Sequence, residues 1–127
     1  MENLKIDATR DTPEVLLDVQ NSSIHISGKS YPENALEFYS PVIKWIVEKI
    51  KTLKPEDELL VSLKFDYFNT SSSKAILDMF DLFEESYNKG AKIKIDWHYD
   101  YRNDVMAECG EEFTEDFDIP INLIEDK

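Results

Sequence analysis

Apolar residues alternate with polar ones at the start of the chain. Leu4, Ile6 and Ala8 predict a short strand, and Val15, Leu17 and Val19 predict a second. Ile24 and Ile26 continue the period of two beyond Asn21-Ser22-Ser23, a set of turn formers, so a hairpin is expected. The pattern then changes. Ser30-Tyr31-Pro32-Glu33 reads as a helix start, with Ser30 accepting from the third helical amide and Glu33 reaching back. Leu36, Tyr39, Ile43, Ile46, Val47 and Ile50 then mark one helical face to about Leu53. Pro41 lacks an amide hydrogen and is expected to kink or restart this helix, with Ser40 as a local cap.

Leu59, Val61, Leu63 and Phe65 return to strand spacing, and Asp66 to Asn69 lead the chain out. A second helix is predicted from about Thr70 to Asn88, burying Ile76, Met79, Phe80, Phe83 and Tyr87 and ending near Gly90. Ile93, Ile95 and Trp97 predict another strand. A weaker third helix is placed over Asp104 to Phe113, and Ile119 to Ile124 form a short final strand or a packed tail. Helices separating the later strands imply parallel crossovers, with antiparallel pairing at the start. The expected fold class is therefore α/β: one domain with a mixed sheet, an N-terminal hairpin and helices mainly on one face. Half-polar strands leave the other face solvated, and Lys64, Lys92 and Lys94 are read as solubilising lysines on it.

Composition narrows the function. The chain has 127 residues and enough apolar content for one core, and its net charge is −13. An excess this acidic repels phosphate backbones and anionic headgroups, so nucleic-acid and membrane binding are both disfavoured. No apolar run approaches a membrane span, and Met1 to Thr9 lack a signal-peptide core. Cys109 is the only cysteine, which leaves no intrachain disulfide. A soluble cytoplasmic protein without a cofactor is expected.

Candidate chemistry concentrates at Phe65-Asp66-Tyr67-Phe68-Asn69-Thr70-Ser71-Ser72-Ser73-Lys74, where strand, short loop and helix meet. Free amides at a helix N-terminus favour anions, so a phosphate on Thr70 would be accommodated there. Asn, Ser and Thr are also ordinary cap residues. Four consecutive hydroxyls nevertheless exceed what one cap needs, and Tyr67 and Phe68 are read as exposed aromatics beside them. Ser71-Ser72-Ser73-Lys74 also fits the S-x-x-K pattern of serine acyl enzymes, but the companion S-D-N and K-T-G motifs are missing. His98 near Asp96 and Asp100 is the closest approach to a metal set, and one histidine with scattered carboxylates fixes no ligand geometry. The acidic run from Glu111 to Asp118 lacks the glycine and spacing of a calcium loop. No motif supports an enzyme.

Ile26-Ser27-Gly28-Lys29-Ser30-Tyr31-Pro32-Glu33-Asn34-Ala35 and Tyr67-Phe68-Asn69-Thr70-Ser71-Ser72-Ser73-Lys74 together resemble the SiaC family of bacterial regulatory phosphoproteins. Their separation and the chain length agree with it. The resemblance implies a STAS-like fold, similar to anti-sigma-factor antagonists, in which a hydroxyl residue opening a helix is phosphorylated. It further implies a dedicated serine/threonine kinase, a PP2C-type phosphatase, and an output partner held by the unphosphorylated form. In the best-known setting that partner is a diguanylate cyclase controlling biofilm formation. Thr70 matches the phosphorylated threonine, with Ser71 its nearest competitor. Tyr67, Phe68, Asn69, Ser71, Ser72 and Lys74 are the expected partner-binding residues. The alternatives are a constitutive adaptor or a small-molecule-binding STAS-like module, with Thr70 only a helix cap.

Overall fold

Two periodicities build the molecule, whose computed structural model describes residues 1–127. Strands β1 (Leu4–Ile6), β2 (Glu14–Asp18) and β3 (Ser23–Ser30) form an antiparallel meander. Three crossovers follow: α1 (Ala35–Thr52) to β4 (Glu58–Phe68), α2 (Thr70–Asn88) to β5 (Lys92–Asp100), and α3 (Asp104–Asp116) to β6 (Ile121–Asp126). Strands β3 to β6 run parallel, so the sheet order is β1-β2-β3-β4-β5-β6. The expected final strand is present as β6, and α3 runs three residues past its expected end.

Every second strand residue points at the helices. Val15, Leu17, Ile24, Ile26, Leu59, Val61, Leu63, Phe65, Ile93, Ile95 and Trp97 form one continuous core with the inner faces of α1, α2 and α3. The other sheet face carries Leu16, His25, Leu60, Ser62, Lys64, Lys94 and Asp96, all at least partly exposed. Lys64, Lys92 and Lys94 all lie on this face, as expected. Lys64 pairs with Asp126 at 2.9 Å, whereas Lys94 stands opposite Leu60, about 13 Å along β4 from Lys64.

The first helix departs from expectation in three respects. Ser30 is not its cap: it is the last residue of β3 and fully buried, and Asn34 caps α1 instead. The buried stripe is Ala35, Tyr39, Val42, Trp45, Ile46 and Lys49, and Leu36 is 81% exposed. The stripe is turned because two amphipathic residues bury their stems while their polar tips find partners. Trp45 Nε1 donates to the Glu2 carbonyl at 2.9 Å, and Lys49 Nζ donates to the Val19 carbonyl at 2.9 Å. Finally, α1 does not restart at Pro41 but runs as one helix from Ala35 to Thr52, and Ser40 caps nothing. The amide that proline lacks would have met Glu37, on the exposed side of the helix where the carbonyl is open to water.

The second helix matches its expected bounds. Its inner face includes Ser72, Ala75 and Ser86 as well as the apolar residues, and Tyr87 is only half-buried. Glu84 on α2 fixes the path from α3 to β6. Its carboxylate accepts from the Asp118 amide at 2.9 Å and from the Ile119 amide at 2.8 Å. Ile119 is buried just before β6, which explains the apolar start of that segment.

Candidate functional site

The site forms where β4 leaves the sheet. Between Gly28 and Lys29 the parallel register with β4 shifts: Gly28 pairs with Phe65, but Lys29 pairs with Tyr67 and Ser30 with Phe68. Asp66 is the extra residue of this bulge, and its carbonyl accepts from Asn103 Nδ2 at 3.0 Å. The Asn69 amide then donates to the Ser30 carbonyl at 3.0 Å, so the strand pairing holds the chain up to the residue before the helix.

Asn69 is the N-cap of α2. Its side-chain oxygen accepts from the Ser72 amide at 2.9 Å and from the Ser71 hydroxyl at 3.2 Å. Ser72 points inward. Its Oγ accepts from Ser30 Oγ at 2.8 Å, and Ser30 Oγ lies 2.6 Å from the Tyr39 hydroxyl. These three hydroxyls are sealed from solvent, with each residue fully buried. They tie β3, α1 and α2 together directly beneath the helix start, and join the two segments that carried the family resemblance.

Thr70 is what remains. It is the first residue of α2, it is exposed, and its hydroxyl makes no hydrogen bond. The amides of Thr70 and Ser71 have no partner inside the helix and none outside it. Of the four consecutive hydroxyls, then, one is bonded to the cap, one is buried in a network, Ser73 is half-buried, and Thr70 is free. The other expected site residues divide as well. Tyr67 is 51% exposed, and its ring stands edge-on to Tyr31 at 6.0 Å. Phe68 is half-buried against Phe65, at 5.6 Å, and is not the exposed aromatic expected. Ser72 is inaccessible to any partner, and Asn69 is half-buried and committed to the cap.

Lys74 is exposed and pairs with Asp78 at 3.6 Å. It makes no hydrogen bond to Ser71, whose hydroxyl donates to Asn69, so the S-x-x-K residues do not form a nucleophile and base. Beside them, Leu36, Tyr39 and Ile43 of α1 face Ser71, Lys74 and Asp78 of α2 across a mostly apolar groove of about 240 Å³. Elsewhere, His98 Nδ1 lies 3.3 Å from Asp126, a residue the sequence reading did not pair with it. Asp96 accepts from Asn122, and Asp100 is held below the usual carboxylate range by its hydrogen bonds from Arg102. No three His, Cys, Asp or Glu side chains gather as a metal set. Burial, with the neighbouring Glu112 and Glu108, pushes the Cys109 thiol up, away from the reactive thiolate form.

Ser30 and Tyr39 are the residues that sequence reasoning missed. Burial pushes the Tyr39 phenol up to about 12, against the lowering effect of its hydrogen bond with Ser30. A phenol whose ionisation is raised on folding lends stability that is complete below its unfolded value near 10. That stability is lost as pH rises toward about 12. Tyr39→Phe is expected to cost about 1 kcal/mol at neutral pH and to flatten the alkaline fall between about pH 10 and 12. Urea unfolding at pH 7.5 and across the alkaline range measures both effects.

The arrangement thus presents a free hydroxyl at a well-capped helix start, next to an apolar groove. A family model described as SiaC family regulatory phosphoprotein matches residues 6–126, and the chain belongs to that family. An uncharacterized protein of Pseudomonas aeruginosa is 40% identical over 123 residues, 97% of this chain and 96% of that one. The crystal structure of apo-SiaC from Pseudomonas aeruginosa superposes with a TM-score of 0.91 at 38% identity, covering 98% of this chain and 99% of that one. A second crystal structure holds the diguanylate cyclase SiaD in complex with its activator SiaC, again from Pseudomonas aeruginosa. It matches with a TM-score of 0.91 at 37% identity over 97% of this chain and 99% of that one.

Proposed function

We propose that this chain is a non-catalytic signalling switch whose docking surface is turned off by phosphate on Thr70. The single observation that carries the reading is the idle hydroxyl of Thr70. Capping is done by Asn69, and Ser72 is spent in the buried network, so Thr70 contributes nothing visible to the fold. A structural cap would be bonded. The writer and eraser are a serine/threonine kinase and a PP2C-type phosphatase, and the output partner is a diguanylate cyclase. Family membership supports the first pair, and the complex of SiaC with SiaD supports the last. Its action belongs in the cytoplasm, where the kinase finds ATP, and its output belongs to biofilm control.

Docking uses Tyr67, Ser71, Lys74 and the groove between α1 and α2. Phosphate adds roughly −1.5 to −2 charges at the rim of this surface. A partner that covers the groove must then desolvate the anion or meet it with like charge, and both oppose binding. The fold tolerates the group because the first amides of α2 are unbonded and the helix dipole favours an anion there.

Incubation with the host kinase and ATP, followed by phosphopeptide mapping, tests the assignment. Modification at Thr70, and its loss in Thr70→Ala, is the expected result. Modification at Ser71 or Ser73 with Thr70 untouched would overturn it.

A further inference from the structure

Thr70, Lys74 and Asp78 are spaced four apart on α2, so their side chains climb one face of the helix as a ladder. In the unmodified chain the middle rung is paired away from Thr70. Lys74 Nζ lies 3.6 Å from Asp78 Oδ2, with both side chains largely in water. Such an exposed pair is weak and easily exchanged. Its order along the helix is also the poorer one, because an acid four residues before a lysine interacts better than an acid four residues after it.

A phosphate on Thr70 supplies the better order and the larger charge together. It is an anion of nearly −2 four residues before Lys74, whereas Asp78 offers −1 four residues after it. The lysine has a flexible four-carbon stem and three donors, enough to turn from one rung to the other. We infer that Lys74 is the residue that senses the phosphate, leaving Asp78 to pair with phosphothreonine at position 70. Lys74 and Asp78 both line the groove against Leu36, Tyr39 and Ile43. Before modification that wall carries a neutralised pair. Afterwards it carries an unpaired carboxylate beside apolar side chains, so the phosphate also changes the groove it does not fill. The inference rests on Thr70 as the acceptor, but it needs neither the kinase nor the partner to be tested.

The test uses full-length protein with phosphothreonine incorporated at position 70 during synthesis. The second ionisation of the phosphate is followed by phosphorus NMR against pH at low ionic strength. Lys74→Gln is expected to raise that pKa by about 0.3 pH unit, because a helical ion pair of this kind is lost. Asp78→Asn is expected to lower it by a similar amount, since the competitor is removed. Lys89→Gln, which lies at the far end of α2 beside Glu85, is expected to leave it unchanged. A Lys74→Gln value within about 0.1 unit of the parent, or an equal shift from Lys89→Gln, would overturn the inference. A phosphate that responds to Lys74 in a protein whose Thr70 no kinase modifies would uphold it and defeat the proposed function.

Discussion

Thr70→Ala is expected to bind the proposed diguanylate cyclase partner as the unmodified protein does, while Thr70→Asp loses on the order of tenfold in affinity. The reason is local. The Thr70 hydroxyl has no bond to lose, and alanine at the first helical position leaves Asn69 capping Ser72. Aspartate instead places a charge at the rim of the groove, where a covering partner strips its water. It carries one charge where phosphate carries nearly two, so its effect is the smaller. Both variants are expected to melt within a few degrees of the parent, because neither touches the core. Equal affinities for the two variants would mean that the surface around Thr70 is not the docking surface.

Trp97→Ala is expected to cost about 3–5 kcal/mol, a large share of the stability of a domain this size. The indole is 1% exposed and lies among Phe65, Phe80 and Phe113, at ring separations of 6.0, 6.3 and 5.1 Å. Its Nε1 donates to the Met106 carbonyl at 2.9 Å, so truncation also removes a buried hydrogen bond that ties β5 to α3. Gly110 shows how close α3 comes. A Cβ there would stand 2.6 Å from Trp97 Cδ1 and 2.7 Å from Leu123 Cδ2. Gly110→Ala is accordingly expected to cost about 1–3 kcal/mol through overpacking, since a buried indole has nowhere to turn. Urea unfolding of the two variants orders these effects, and a Gly110→Ala protein as stable as the parent would contradict the close packing described.

Strand alternation was enough to place β3, β4 and β5, because each has one face against the helices and one in water. The second helix was equally readable, with an asparagine cap, a regular apolar stripe and a glycine two residues beyond its end. The first helix misled for a physical reason. Its serine, proline and glutamate mimic a capping box, yet Ser30 is pulled into β3 by pairing with Phe68, a contact 38 positions away that local spacing does not reveal. Its buried stripe was displaced because Trp45 and Lys49 count as amphipathic or polar by composition, and become interior only when Glu2 and Val19 offer carbonyls.

At the site, the position of Thr70 was legible and the fate of its neighbours was not. Four hydroxyls in a row look alike in a sequence. Only the packing of α1 against α2 separates them, by sending Ser72 inward to Ser30 and Tyr39 while Thr70 stays in water. Phe68 was misread as exposed for a related reason, since its cover comes from Phe65 on its own strand across the bulge at Asp66.

Phosphate on Thr70 is proposed to turn partner binding off without unfolding the domain. Calorimetric titration of the proposed diguanylate cyclase partner with unmodified protein and with protein carrying phosphothreonine at position 70 is the decisive measurement. A drop in affinity of at least about tenfold on phosphorylation is expected, with the same melting temperature to within a few degrees. Equal affinities for the two forms, or tighter binding by the phosphorylated one, would contradict it.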